Sequence, residues 1–381
     1  MNRRIGSIDL LRGLIMVVMA LDHVRDYFHF SAFFFSPADP DFTTPAIFFT
    51  RWITNFCAPG FCLLSGVSAY ISGFKKSKKE LSFFLWTRGL WLIVMELTVI
   101  NFSWTFDPTF HNLLFLVIWS LGVSMVCLSF LIFLNPRIIL GISLIMIFGH
   151  NAFDQLEPLK TIFWAFIHEG GTFDLGRFNL IIGYPVVPWI GVMSLGYCIG
   201  PVFKWEVQKR KILFLISGLS ACVLFVLLRA INLYGDPNPW KSWTSLSQTI
   251  FHFFGPNKYP PSLLFLCMTL GPIFLFLYFS ENWKGSLVNR ISIFGKVPFF
   301  FYLIHIYVIH FFSLVALQLQ GLSWNKMFNS TWSFDDFQGF GFGLFWVYMV
   351  WIGLIFLLYP FCKWYEKYKS ANKQCWWLSY L

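Results

Sequence analysis

The chain has 381 residues, of which 57% are apolar, 21% aromatic and only 12% charged. Soluble domains carry about 25% charged residues. With a mean hydropathy of +0.64, this composition excludes a water-soluble enzyme, a disordered protein and a collagen-like fibre, and makes the bilayer the solvent. The formal charge of +10 then reads as a topology signal and not as a nucleic-acid footprint.

A membrane-crossing helix needs about 20 mostly apolar residues. Ten stretches qualify, at roughly 8–28, 45–73, 82–103, 113–134, 137–149, 181–203, 212–231, 261–280, 293–316 and 341–361. The expected fold is an all-α integral membrane protein, a polytopic bundle of about ten transmembrane helices forming one domain over 1–381. The fifth stretch is short enough to be tilted or re-entrant. Turn chemistry separates the spans at Asn135-Pro136, Gly235-Asp236-Pro237 and Tyr259-Pro260-Pro261. The first apolar run leads into a charged DHVRD with no small-residue cleavage site, so no cleavable signal is expected.

With a cytoplasmic N-terminus, most of the basic residues fall on cytoplasmic connections, from Arg3, Arg4 and Arg12 to the run of lysines after Lys363. The KKSKK patch (Lys75 to Lys79) is a topology determinant that also suits anionic lipid. Both termini are placed in the cytoplasm. The histidines lean the other way, and so do most acids, including Glu157, Asp335 and Asp336. Lys160 is one of few basic residues on that outer face. Acid–base chemistry therefore belongs to the outer side.

The first span reads SIDLLRGLIMVVMALDHVRDYFHF. Ionisable groups inside a span cost about 2.5–3.5 kcal/mol each on insertion scales, so they face a cavity or a partner. Asp22, Arg25, Asp26 and His29 follow one another at helical spacing on one face. They form either an interfacial salt-bridge cluster or an imidazole oriented by carboxylates, as a general base requires. The third span carries Arg88 at its inner end, and Glu96 lies about 12 Å further along the axis at 1.5 Å per residue. Glu96 needs a partner or a proton there. The tripeptide RGL occurs in both spans (Arg12-Gly13-Leu14 and Arg88-Gly89-Leu90), which suggests a shared inner-leaflet anchor. Arg12, Arg88 and Lys296 together suit an anionic cytoplasmic ligand such as a nucleotide phosphate. In the ninth span His305 lies mid-membrane and must hydrogen-bond something. His305 and His310 are five apart, without metal-type spacing, and no Cys/His pattern suits zinc, so no metal is expected. P-loop, serine-hydrolase and zinc-protease motifs are absent.

Several segments together resemble a known family. RIGSIDLLRGLIMVVMALDHVRDYFH, FFTRWITNFCAPGFCLLSG, TRGLWLIVME, VIWSLGVSM, YPVVPWIGVMSLGY, KYPPSLLFLCMTLGP, GKVPFFFYLIH and the final CWWLSYL resemble the heparan-α-glucosaminide N-acetyltransferase-like membrane proteins, the DUF1624 family, and its bacterial members in particular. The likeness spans nearly the whole chain. It implies a polytopic acyltransferase that takes an acyl group, usually acetyl, from cytoplasmic acyl-CoA and passes it to a sugar hydroxyl or amine on the far side. The lysosomal member has an essential histidine after its first span, for which His29 is the nearest match. The opening is also similar to the broader acyltransferase-3 enzymes, where a histidine follows the Arg of an RG pair by eleven residues. Here Arg12 leads to His23 in that way. His23 and His29 are thus two candidates for one role.

The resulting expectation is acyl transfer from acetyl-CoA or another acyl-CoA, without metal. His23 or His29 is base or nucleophile, Asp22 or Asp26 orients it, and Arg12, Arg88 and Lys296 meet the CoA phosphates. The acceptor glycan enters near Arg25, His150, Trp189, Lys258 and His305. The family also suggests a homodimer. The alternative is a transporter or flippase that moves a polar or lipid-linked solute, for which intramembrane charges serve equally well.

Overall fold

The computed structural model describes residues 6–35, 37, 39, 41–154, 161–326, 337 and 339–379. Arg3, Arg4, Glu157, Lys160, Asp335 and Asp336, assigned to the two faces above, lie outside the described residues, as does the end of the CWWLSYL segment. The chain is 74% helical, and seven helices among the described residues are long and apolar enough to cross a membrane. It is an all-α integral membrane protein.

The first span is one helix, α1 (Gly6–Phe28). The second is divided into α2 (Pro45–Thr54) and α3 (Cys57–Ser72). The third runs as α4 (Lys78–Met95), a π-turn (Glu96–Ile100) and the short α5 (Asn101–Thr105). Next come α6 (Val117–Leu131) and α7 (Pro136–Gly149). The later helices are α8 (Val187–Ile199), α9 (Val207–Ile231), α10 (Leu246–Phe253), α11 (Leu263–Ser280), α12 (Ser286–Lys296), α13 (Pro298–Leu319) and α14 (Leu344–Ala371). The ninth predicted span is therefore two helices. Pro298 disfavours helical backbone at Val297 before it and begins α13 itself.

Two predicted spans open in extended backbone. Asn112–Phe115 (β1) and Asn179–Ile182 (β3) pair in parallel, with Asn112 opposite Asn179, and Gly171–Asp174 (β2) joins β3 antiparallel. β1 and β3 overlap the starts of the fourth and sixth predicted spans, because a short apolar run does not distinguish strand from helix, whereas β2 lies between the fifth and sixth predicted spans.

Lipid and hydrogen-bonding groups sort themselves as the bilayer demands. Phe83, Ile145, Phe345 and Phe356 are exposed, on helices whose other faces pack inward. α1 lies in the middle, packed on α2, α3, α11, α12, α13 and α14. Without a hydrophobic drive between helices in lipid, close approach depends on small residues. The closest pairs cross on glycines from both partners: Gly13 with Gly295, Gly66 with Gly196, Gly89 with Gly122, and Gly218 with Gly271. A Cβ on Gly13 would strike the Ile291 carbonyl, and one on Gly295 the Asp9 carbonyl.

Candidate active site

The polar residues of α1 divide between its two ends. At the first end, Arg12 donates from Nη1 to the Gly295 carbonyl (3.1 Å) and from Nη2 to Ser68 Oγ (2.7 Å). Asp9 lies 3.5 Å from the same guanidinium. Arg12 and Arg88 line one cavity of about 100 Å³, whose walls include Met16, Leu92, Met125 and Phe299. Lys296 is turned aside, its Nζ 3.9 Å from Glu366 Oε1 on α14. The structure thus brings together Arg12 and Arg88, with Lys296 next to the glycine whose carbonyl Arg12 holds.

The same cavity is lined by Tyr302, and Tyr302 leads to the histidines. Its ring makes T-shaped contacts with His23 (6.4 Å between centroids) and His305 (5.5 Å). His23 Nδ1 and His305 Nε2 are 2.8 Å apart, and His305 Nδ1 lies 3.0 Å from the Phe301 carbonyl. A carbonyl only accepts, so His305 Nδ1 carries a proton and donates it there. With both rings neutral, His305 Nε2 then accepts from Nδ1–H of His23. The Nε2 of His23 is left with its lone pair, the state a general base needs. His305 is buried completely, and its need for a partner inside the span is met by this pair of bonds. His310, one turn and more beyond, points Nδ1 at the Ser103 carbonyl at 3.0 Å and stacks on Phe106.

His29 is placed differently. It precedes a single 3-10 turn (Phe30–Phe33) and caps it, Nδ1 accepting from the Ser31 amide at 3.3 Å. Ser31 Oγ is 2.6 Å from the same nitrogen. Burial pulls its imidazole down to about 4, with Arg25 adding to the shift, so it is neutral near pH 7.

The acids of α1 bind arginines. Arg25 Nη2 lies 3.1 Å from Asp22 Oδ1 and also binds Asp26 Oδ1, while Arg51 from α2 binds Asp22 Oδ2. His23 Nδ1 bonds to His305 and not to Asp22 or Asp26, which are engaged by guanidinium groups. Lys258 is near enough to act electrostatically on both Asp22 and His23. Trp189 is buried, and its ring lies 5.7 Å from that of Tyr184, which in turn reaches the Tyr259 hydroxyl at 3.4 Å. The YPVVPWIG and KYPPS segments therefore meet beside the α1 cluster. His150 is not part of this group; it packs against His168.

Two further residues escaped the sequence reading. Arg51, on α2, binds Asp22 and so joins the outer end of α1 to the second span. Asn101 lies at the start of α5 with both side-chain amide atoms buried and without a hydrogen-bond partner among the described residues. It stands three residues before Trp104, whose ring meets His23 edge-on at 4.9 Å, so both share a helix face. Glu96, also fully buried, accepts from the Trp119 amide at 3.0 Å and faces the amides of Leu116 and Ile118. It caps the N-terminus of α6, where a carboxylate is favoured. Val99 lies in the π-turn that carries Glu96, and Tyr307 donates to its carbonyl at 2.8 Å.

Residues 4–234, more than half of the chain, match the family model described as the heparan-alpha-glucosaminide N-acetyltransferase catalytic domain. The chain belongs to this family. No curated protein matches it. As a heparan-α-glucosaminide N-acetyltransferase family member, it has a membrane acetyltransferase-like function and is a transferase by family. The matched stretch contains Arg12, His23, Arg25, His29, Arg51, Arg88 and Asn101. It ends before Lys258 and His305, so one half of the histidine pair lies beyond it.

Proposed function

We propose that the protein transfers an acetyl group from acetyl-CoA, held at the Arg12 and Arg88 end, to a sugar amine or hydroxyl at the His23 end, across the bacterial inner membrane. One observation carries the reading: a single cavity is lined by Arg12 and Arg88 and also by Tyr302, whose ring touches both His23 and His305. The two guanidinium groups supply charge-assisted hydrogen bonds for phosphate. The apolar wall between them and Tyr302 suits a pantetheine arm and keeps water from the thioester.

In this scheme the acceptor's nitrogen or oxygen attacks the thioester carbonyl while His23 Nε2 takes its proton. The C–S bond then breaks and the thiolate departs. His305 holds the tautomer of His23, as the third member of a hydrolytic triad does. The Asn101 amide, one turn before Trp104 on the same helix, serves as donor to the developing oxyanion. Asp22, Asp26, Arg25 and Arg51 hold the outer end of α1 in register, and Lys258, Tyr259 and Trp189 flank the acceptor's entrance. Both chain termini then lie in the cytoplasm, consistent with the basic residues that gather at that end.

The test is incubation of purified protein, in detergent or nanodiscs, with radiolabelled acetyl-CoA and a panel of amino sugars and glycans. Label should appear in an acceptor, and CoA should raise the melting temperature. Absence of both effects across the panel would overturn the proposal and favour transport of an unmodified solute.

A further inference from the structure

Beyond the C-terminal end of α7 the chain makes a 3-10 turn, His150–Phe153, followed by Asp154. A second segment, a π-turn over Ala165–Glu169, returns to it and carries His168. His150, Asp154 and His168 each offer one ligand atom, and the three atoms lie within 4.8 Å of one another. His168 Nε2 and Asp154 Oδ1 are 2.9 Å apart. His150 is 3% exposed and His168 2%, and among the described residues neither ring nitrogen of His150 has a hydrogen-bond partner.

A buried imidazole with two unsatisfied nitrogens costs free energy unless something meets it. Asp154 cannot supply all of that need, because Oδ1 faces His168 and Oδ2 accepts from Asn151 Nδ2 at 2.7 Å. Asn151 is itself fixed, its Oδ1 accepting the Leu263 amide at 2.8 Å at the head of α11. A carboxylate ligand held by an amide whose own place is set by a helix terminus is the supporting arrangement that metal sites use. The Trp164 ring lies 5.2 Å from that of His168 and 6.3 Å from that of Phe153, an apolar cover for the cluster.

We propose that His150, Asp154 and His168 bind a divalent transition-metal ion, Zn²⁺ by ligand chemistry, which fastens the end of α7 to the segment leading into β2. Two imidazoles and one carboxylate are a borderline-soft set suited to Zn²⁺ and poorly suited to Ca²⁺ or Mg²⁺. Zn–N and Zn–O bonds of about 2.0–2.2 Å in a tetrahedron place ligand atoms about 3.3 Å apart. Only small side-chain movements are needed: His168 and Asp154 open slightly as the ion replaces the proton between them, and His150 closes in. Both imidazoles are buried, so the ion's role is to fasten the two segments, with a water completing the tetrahedron. The site is separate from the His23–His305 pair, and the proposal does not depend on the transferase reading.

The experiment uses the full chain purified without chelator. Metal content is measured by mass spectrometry, and the chelated protein is titrated with Zn²⁺ while thermal unfolding is followed. We expect one zinc ion per chain, a melting temperature that falls on chelation and recovers with Zn²⁺, and tetrahedral visible absorption when Co²⁺ replaces zinc. His150→Phe, which keeps an aromatic ring in the buried space, should lose the ion and the Zn²⁺-dependent shift. Asp154→Asn should weaken both. If the wild-type chain holds no metal and neither Zn²⁺ nor Co²⁺ changes its melting or its spectrum, the proposal is overturned. Equal metal content in wild type and His150→Phe overturns it as well, whatever the variant's stability.

Discussion

In the seam between α1 and α13, His23 and His305 share one hydrogen bond, and a backbone carbonyl behind His305 decides where every proton sits. Beyond α7, His150 and His168 are both buried, as His305 is, yet the third group is a carboxylate and one imidazole has no hydrogen-bond partner among the described residues. The difference teaches that burial alone does not assign a histidine its chemistry. A neutral acceptor behind the pair leaves a lone pair directed outward, which suits proton transfer. A carboxylate beside the pair leaves two nitrogens and an anion facing one point, which suits a cation.

The largest effect that would break this contrast is at His23. His23→Ala should lower kcat/KM by about 10²–10⁴-fold, the range of general-base catalysis; His29→Asn, with a residue that still caps a helical turn, should retain most of the activity. The reverse result, measured by acetyl transfer, would exchange the roles of the two. Next is His305→Phe. It removes the acceptor that fixes the His23 tautomer, and the loss in kcat should approach the about 10⁴-fold that a wrong tautomer costs in hydrolytic triads. Unchanged KM for acetyl-CoA would identify it as a positioning residue.

Smaller changes belong to the other end of α1. Arg12→Gln and Arg88→Gln should each raise KM for acetyl-CoA about 10- to 100-fold, since a hydrogen bond to a charged group contributes about 1.5–3 kcal/mol, with kcat little altered. Equal KM in wild type and both variants would remove the phosphate role. The smallest effect is on stability. The His29 imidazole sits at about 4 in the fold against an ordinary 6.5. A group whose folded value is depressed contributes stability that is complete above 6.5 and lost as pH falls toward 4. Thermal unfolding between these limits should show a decline that His29→Asn reduces; an identical decline in the variant would assign it to other groups.

The membrane class, most helices and the crowded polar end of α1 were legible in the sequence, because apolar runs and charges that lipid rejects are local signals. His305 was recognisable as a residue that needs a partner, but the partner is 282 positions away, and no spacing rule reaches that far. Arg51 was hidden by its resemblance to an interfacial anchor, and Asn101 by lying near the end of an apolar run, where a polar residue ordinarily meets water. The division between α12 and α13 did have a local signal in Pro298. The metal-ligand cluster could not be read, because His150 and Asp154 lie in one turn while His168 comes from another segment.

The RGL tripeptides acquire a use beyond anchoring. Gly13 and Gly295 are where α1 and α12 touch, backbone on backbone. His23 lies ten residues beyond Gly13 on α1 itself, about 15 Å along the axis at 1.5 Å per residue. His305 stands on α13, across the break at Val297 that separates it from Gly295 on α12. The crossing therefore fixes the reach of the α1 arm as a single rod, and one residue added between Gly13 and His23 would turn that histidine by about 100° and part the pair without touching either ring.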